Sequence, residues 1–227
     1  FRGDGQLMAS AMAPIPKLGA QLAQATFEPD LVITDGVATI VDLDGRTEAW
    51  MPFSRVFDTL WSGRRHVMMG ASQIDRFGNS NISNIGDWKQ PKVQLLGVRG
   101  GPGNTINHAV SYWIPRHTTR VFVPTVDMVS GIGYDRAAEL SEWVQEHHRI
   151  PRVVTNLAVL DFETPDRAMR IASLHPGVTV DEVVDSTGFE LAVPDEVPTT
   201  RTATSDEVAA LDRLDPKGLR FAEVPDP

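Results

Sequence analysis

"HVMMGASQIDRFGNSN" (66–81) changes character in one step: four residues in an apolar run, a glycine, then a loop with one acid, two asparagines, a glutamine and a further glycine. An apolar run without polar alternation is the signature of a strand buried on both faces. Two other stretches share the pattern, "LVITDG" (31–36) and "QLLGVRGGPGN" (94–104). Helical spacing separates these runs. "PIPKLGAQLAQATF" (14–27) places Leu18, Leu22 and Ala25 on one face, with Pro16 suited to a first turn. Further helices are expected over 53–61 and over 135–148, the latter capped by Asp135 with Leu140, Trp143 and Val144 as its apolar face. Strands are expected at 36–41, 92–98 and 120–124, and at 153–162 as one strand or two with a bend. Buried strands alternating with helices mean an α/β architecture, an open and mostly parallel sheet covered on both faces.

Ligands of open α/β sheets collect beyond the carboxyl ends of the strands. "TDG", "ASQIDRFGNSN" and "RGGPGN" are all expected there. Asp75 suits either a general base or an acceptor for several N–H groups. Asn79 and Asn81 suit a pocket wall, or a left-handed turn beside Gly78. The glycines at 100, 101 and 103 make a turn whose amides can converge on an anion, or an ordinary strand-to-helix turn capped by Asn104. "GPGNTI" has Ile106 where a dinucleotide fingerprint needs its third glycine, and no Gly-Lys-Ser/Thr follows. His108 is expected on the helix after this turn.

Toward the end, Thr179 with Glu182 and Thr204 with Glu207 form capping-box patterns, with Val178 and Val183 as a staple and Gly188 as a C-cap. The tail over about 215–227 is expected to fray or wrap on a partner. At 227 residues, without internal repeats, one domain over 1–227 is expected. A net charge of −9 argues against nucleic-acid or membrane-surface partners, which are polyanionic. No apolar run is long enough for a membrane helix and no secretory signal is visible. Cysteine is absent, which makes a cytoplasmic location the default. The six histidines have no metal-ligand spacing, so no metal is expected.

Three stretches together resemble the β subunits of class I coenzyme A transferases of the glutaconate type. They are Gly70-Ala71-x-Gln73-Ile74-Asp75-x-x-Gly78-Asn79-x-Asn81, then Gly97-x-x-Gly100-Gly101-x-Gly103-Asn104, then Pro176-Gly177-Val178-Thr179-Val180-x-Glu182-Val183 with Thr187-Gly188-Phe189. The resemblance runs from about Pro16 to Val193. It implies the coenzyme A transferase α/β fold, an α partner of similar fold in an α2β2 heterotetramer, and an acyl-CoA site at their interface. Coenzyme A enters as part of the substrate, and no separate cofactor is implied.

In one respect the chain departs from the family. Transferase β subunits carry Ser-Glu-Asn-Gly, whose Glu attacks the thioester. Aligned on Gly36, this chain reads Ile33-Thr34-Asp35-Gly36. A threonine hydroxyl cannot carry CoA without an activating base. Asp35 is one position displaced and one methylene shorter, and a misplacement of about 1 Å costs about 10²-fold. An actinobacterial subgroup of the family, which opens the last steroid ring in cholesterol catabolism, has lost this Glu in the same way. "RGDGQLMASAMAPIPKLGAQLAQATFEPDLVITDG" (2–36) resembles its β subunit.

That likeness implies hydrolysis of a carbon–carbon bond in a cyclohexenone-carboxyl-CoA, by water that a Glu of the α subunit activates. Thr34, Asp35 and Gln73 are then the catalytic candidates on this chain. Gly36, Asp75, Asn79, Asn81, Gly100, Gly101, Gly103 and Asn104 are the candidates for shaping the substrate and CoA pocket. Two alternatives stay open: CoA transfer through Asp35, and a catalytically silent scaffold.

Overall fold

The computed structural model describes residues 1–34, 39–52, 54–55, 58, 65–98 and 100–224. It divides into two compact units, one drawn from residues 1–69 and 202–227, the other from 70–201. The helix expected over 53–61 falls largely outside the described residues, as do positions 36–38 of one expected strand.

The first unit opens with β1 (Met8–Ala11), α1 (Pro14–Thr26), β2 (Val32–Thr34), β3 (Thr39–Val41), β4 (Thr47–Trp50) and β5 (Arg65–Met69). Its strands lie in the order β5-β1-β2-β3-β4. β1 pairs in parallel with both β2 and β5, and the register sets Ser10 opposite Thr34 on one side and Val67 on the other. β3 and β4 add on antiparallel, so the parallel centre runs out into a hairpin edge. Asp42 Oδ1 closes that hairpin by accepting the Asp44 and Arg46 amides, with Gly45 at φ +78°. β4 is the last strand, and every residue of it is exposed.

β1, "MASA", was not anticipated, because alanine and serine carry little strand propensity. It is a strand because it is buried. Ala9 and Ala11 pack with Ala20 and Ala23 of α1 and with Leu31, Ile33 and Val41, and four alanines let helix and sheet approach closely.

The second unit begins with two small hairpins, β6 (Gln73–Ile74) with β7 (Ser80–Asn81) and β8 (Asn84–Ile85) with β9 (Val93–Gln94). Next come α2 (Gly101–Asn107), β10 (Ala109–Ile114), α3 (Tyr134–Ala138), α4 (Glu142–His147), β11 (Val153–Thr155), β12 (Ala158–Asp161), β13 (Arg170–Leu174) and α5 (Val180–Asp185). β10 to β13 lie side by side in chain order. β10 and β11 pair in parallel, and β12 and β13 follow antiparallel.

Several expectations change here. The buried strand expected at 92–98 is only the two exposed residues of β9, and Leu96 beyond it is 68% exposed. The fully buried strand is instead β10, "AVSYWI", which starts where the glycine-turn helix was expected to continue. His108 is the C-cap of α2 and lies between the two. At 120–124 only a bridge from Phe122 to Ile74 forms.

The helix expected over 135–148 breaks into α3 and α4. Gly133 rather than Asp135 caps the first, and Leu140 and Trp143 are exposed, leaving Val144 as the buried residue of α4. For 153–162 the two-strand alternative holds, with Thr155 Oγ1 closing the turn by accepting the Leu157 and Ala158 amides. Thr179 caps α5 as expected, but α5 ends at Asp185. Gly188 is required for a different reason: a Cβ there would collide with the Phe122 carbonyl oxygen.

α6 (Ser205–Leu214) and α7 (Arg220–Glu223) complete the first unit. The Thr204 capping box is complete, side chain and backbone bonded both ways with Glu207. Of the tail, residues 215–224 are described, and they bond back onto the unit. Asp215 accepts the Leu219 and Arg220 amides, and Glu223 Oε2 accepts the Ile15 amide at the start of α1, 2.8 Å away. Among the described residues no helix is long and apolar enough to cross a membrane.

Candidate functional site

Thr34 ends β2 and is buried. The parallel register places Ser10 beside it, with the two hydroxyl oxygens 3.4 Å apart. Ser10 Oγ also accepts from Arg65 Nε at 3.3 Å and Nη2 at 3.0 Å. The Arg65 side chain is buried, and burial lowers its pKa, but a guanidinium stays charged in a folded protein. With two N–H donors on its oxygen, Ser10 has its own proton to offer Thr34. This corner of the first unit therefore holds two hydroxyls backed by a buried cation. Sequence reasoning missed Ser10 and Arg65, since only strand register brings 10, 34 and 65 together. Asp35 and Gly36 lie outside the described residues.

In the second unit, the loop 70–81 bonds to itself and to two later segments. Asp75 Oδ1 accepts the Phe77 amide at 3.1 Å and the Asn79 amide at 3.0 Å, and Oδ2 accepts Asn79 Nδ2 at 2.9 Å. Burial pushes the Asp75 carboxyl up, and the bonds from Asn79 and Phe77 pull it back. The Asn79 amide group also donates to Asp135 at 2.9 Å and accepts the Gly133 amide at 2.8 Å. Gly78 itself takes the left-handed turn, at φ +87°; neither asparagine does.

Gln73 and Asn81 face each other across β6–β7, joined by Asn81 Nδ2 donating to Gln73 Oε1 at 2.7 Å. Gln73 Oε1 also accepts the Asp127 amide, and its Nε2 donates to Asp127 Oδ2 at 3.0 Å, an oxygen that takes the Gly86 amide too. Gln73, Asp75, Asn79 and Asn81 are thus buried braces.

The glycine turn is the N-terminus of α2 rather than a loop before it. Gly100 is the N-cap, and Asn104 sits buried within the helix instead of capping it. The Gly101 amide donates to the Val98 carbonyl at 2.9 Å, which removes it from the donors available to an anion. Gly101 is needed for contact: a Cβ would lie 2.5 Å from the Ser130 carbonyl oxygen.

Ser130 opens the segment 130–133, "SGIG", which links the two candidate stretches. Its hydroxyl accepts the Ile82 amide, Gly131 exchanges backbone bonds with Ser80, the Ile132 amide reaches Thr105 Oγ1 of α2, and the Gly133 amide reaches Asn79. Tyr112 of β10 donates to Ser80 Oγ at 2.9 Å, and burial pushes its phenol up to about 12. The segment 130–133 has no local signature of its own, so sequence reasoning missed it.

In two buried histidines of this unit, His117 and His148, burial disfavours the charged form. His117 stacks on Phe122, with ring centroids 3.7 Å apart. Its Nδ1 lies 3.2 Å from Thr155 Oγ1 and its Nε2 3.0 Å from Thr187 Oγ1. Burial lowers its pKa to about 4. His148 Nδ1 donates to the Thr105 carbonyl oxygen, the only role a carbonyl allows, and burial lowers its pKa as well.

An unfolded histidine titrates near pH ~6.5. Between that value and about 4 the unfolded chain binds protons that the native His117 refuses. Stability is therefore full above pH ~6.5 and is lost as pH falls toward the folded value, by up to about 3 kcal/mol for a shift of this size. Urea unfolding at steps from pH 7.5 to 4.5 should show that decline, with a shallower slope in His117→Gln. Equal slopes in variant and wild type would assign the acid sensitivity elsewhere.

Among the described residues no group of three or more His, Cys, Asp or Glu is placed to hold a metal ion. Comparison with known proteins adds the following. The family model described as coenzyme A transferase matches residues 57–186. The chain is 52% identical to the cholesterol ring-cleaving hydrolase IpdB subunit of Rhodococcus jostii (strain RHA1), over 99% of this chain and 91% of that protein. It is 48% identical to the IpdB subunit of Mycobacterium tuberculosis (strain ATCC 25618 / H37Rv), over 99% and 93%. The crystal structure of Rhodococcus jostii RHA1 IpdAB superimposes with a TM-score of 0.92 at 51% identity, covering 99% of this chain and 93% of the matched one.

Proposed function

Because this chain belongs to the coenzyme A transferase family, we propose that it is the β subunit of a two-protein hydrolase that opens the last ring of the steroid nucleus. The observation that carries this reading is the 52% identity, over nearly the whole chain, to a subunit named for cholesterol ring cleavage. The substrate is a ring D-derived cyclohexenone-carboxyl-CoA, and the partner is a homologous α subunit in an α2β2 assembly. No cofactor is needed, since coenzyme A arrives on the substrate. A cysteine-free chain fits a cytoplasmic location.

A Glu of the α subunit takes a proton from water, and the resulting hydroxide adds to the ring ketone. The adjacent ring C–C bond breaks, its electron pair delocalises toward the thioester carbonyl, and protonation of that carbon leaves a new carboxylate and an opened ring. No covalent enzyme intermediate forms. This suits a chain with the Thr34 hydroxyl, bonded into Ser10, where a nucleophilic carboxylate would stand. Thr34, Asp35 and Gly36 shape the vacated pocket. Within the second unit, Gln73, Asp75, Asn79 and Asn81 brace the loop 70–81, and the Gly100 and Gly103 amides are the donors for the thioester, with Asn104 in the same helix.

The test is to copurify the chain with a homologous α chain and supply the ring-D acyl-CoA in ¹⁸O-water. One ¹⁸O should enter the new carboxylate. Substrate-dependent inactivation by hydroxylamine or borohydride, mapped to Asp35, would instead make the protein a CoA transferase. Unchanged turnover after Thr34→Ala, Asp35→Ala and Gln73→Ala, each in an intact complex, would make it a silent scaffold.

A further inference from the structure

A pocket of about 480 Å³ lies within the first unit, between α1, the β3–β4 turn and the α6–α7 connection. The volume falls in the range of small-molecule sites. Leu18 and Ala25 of α1, Leu43 of the turn and Leu214 of α6 give it apolar walls, and four charged residues reach it: Lys17, Arg213, Asp44 and Asp215.

The two carboxylates are already matched by cations outside the pocket. Asp44 pairs with Arg46 at 3.0 Å, and Asp215 shares Arg220, 3.3 Å away, with Asp212 while accepting the Leu219 and Arg220 amides. Lys17 and Arg213 have no ion-pair partner among the described residues. In a chain of net charge −9, an apolar recess therefore carries two unmatched positive charges.

We infer that this pocket binds an apolar carboxylate, its chain or ring against the leucines and its head group on Lys17 and Arg213. An arginine fork matches a planar carboxylate through two parallel bonds, and a lysine adds a point charge beside it. The mainly apolar walls favour a carboxylate with a hydrophobic body over inorganic phosphate, which needs a polar cradle. The site is independent of the ring-opening reading, because none of its residues belongs to the candidate catalytic set.

Decanoate is a suitable probe, with decanol and acetate as controls, titrated calorimetrically into the protein purified with any partner it carries. Decanoate should bind, decanol should bind about tenfold more weakly as its head group loses the two cations, and acetate should not register. The double variant Lys17→Met/Arg213→Met, made at the surface where folding is not at stake, should bring decanoate to the affinity of decanol. Ala25→Trp should remove both by filling the recess. Equal binding of decanoate and decanol, decanoate affinity untouched by the double variant, or no heat from decanoate at all would each overturn the inference. Hydrogen exchange on the same sample would then show whether a partner chain covers this face, an outcome that also overturns it.

Discussion

Gly133→Ala is expected to destabilise the second unit severely. The added Cβ would meet the Phe77 carbonyl oxygen in hard overlap and lie 2.6 Å from the Asn79 amide nitrogen. Both are backbone atoms, and both belong to the hairpin whose amides Asp75 collects. No rotamer change relieves such a clash, so either the 130–133 segment or the hairpin must move. Either movement breaks the bonds from Gly133 to Asn79 and from Tyr134 to Phe77. The loss should be about 3 kcal/mol or more, at the upper end for overpacking. Gly177→Ala makes the contrast: Gly177 holds φ +86° with nothing within 4 Å of the added carbon, so only the left-handed backbone penalty of about 1 kcal/mol applies. Urea unfolding of the two variants should separate them by a wide margin. A Gly133→Ala protein as stable as wild type would contradict the packing described.

Asp75→Ala should cost nearly as much, by another route. It strands the Phe77 amide, the Asn79 amide and one Asn79 Nδ2–H inside a buried loop, and each unsatisfied donor costs roughly 1–3 kcal/mol. Asp75→Asn is the discriminating variant. It keeps an acceptor for the two backbone amides but turns an NH2 toward Asn79, so it should lose about half as much stability. If Asp75 only braces the loop, turnover of the Asn variant by the assembled complex should stay near that of wild type wherever the fold is intact. A collapse of kcat in a fully folded Asp75→Asn complex would make the carboxylate a proton carrier and overturn the bracing role.

Features written within a few residues were legible in the sequence. The Thr204–Glu207 cap, α1 with its proline-rich start, and the strands β2 and β5 need only local pattern. β1 and β10 were not legible. "MASA" is a strand only because α1 covers it, and "AVSYWI" follows a helix so closely that its start has no local mark. The break between α3 and α4 was hidden by continuous helical spacing, while Leu140 and Trp143, read as core, face outward. At the candidate site, the glycines and amides were visible, but their reasons were not. Gly101 is small because backbone from a distant segment presses on it, and Gln73 is anchored by an Asp127 that lies 54 residues on. Ser10 and Arg65 reach Thr34 through register alone.

The outer strand β4 carries its own consequence. Its four residues are exposed, ending in a tryptophan that is 70% exposed, and among the described residues no strand pairs with its outer edge. Such a border is a template for a neighbour's backbone. A recombinant host making this polypeptide without anything to cover that border invites chain-to-chain ribbon growth and insoluble product. Co-production with its cognate companion, or a lysine in place of Trp50, is the practical remedy that this geometry recommends.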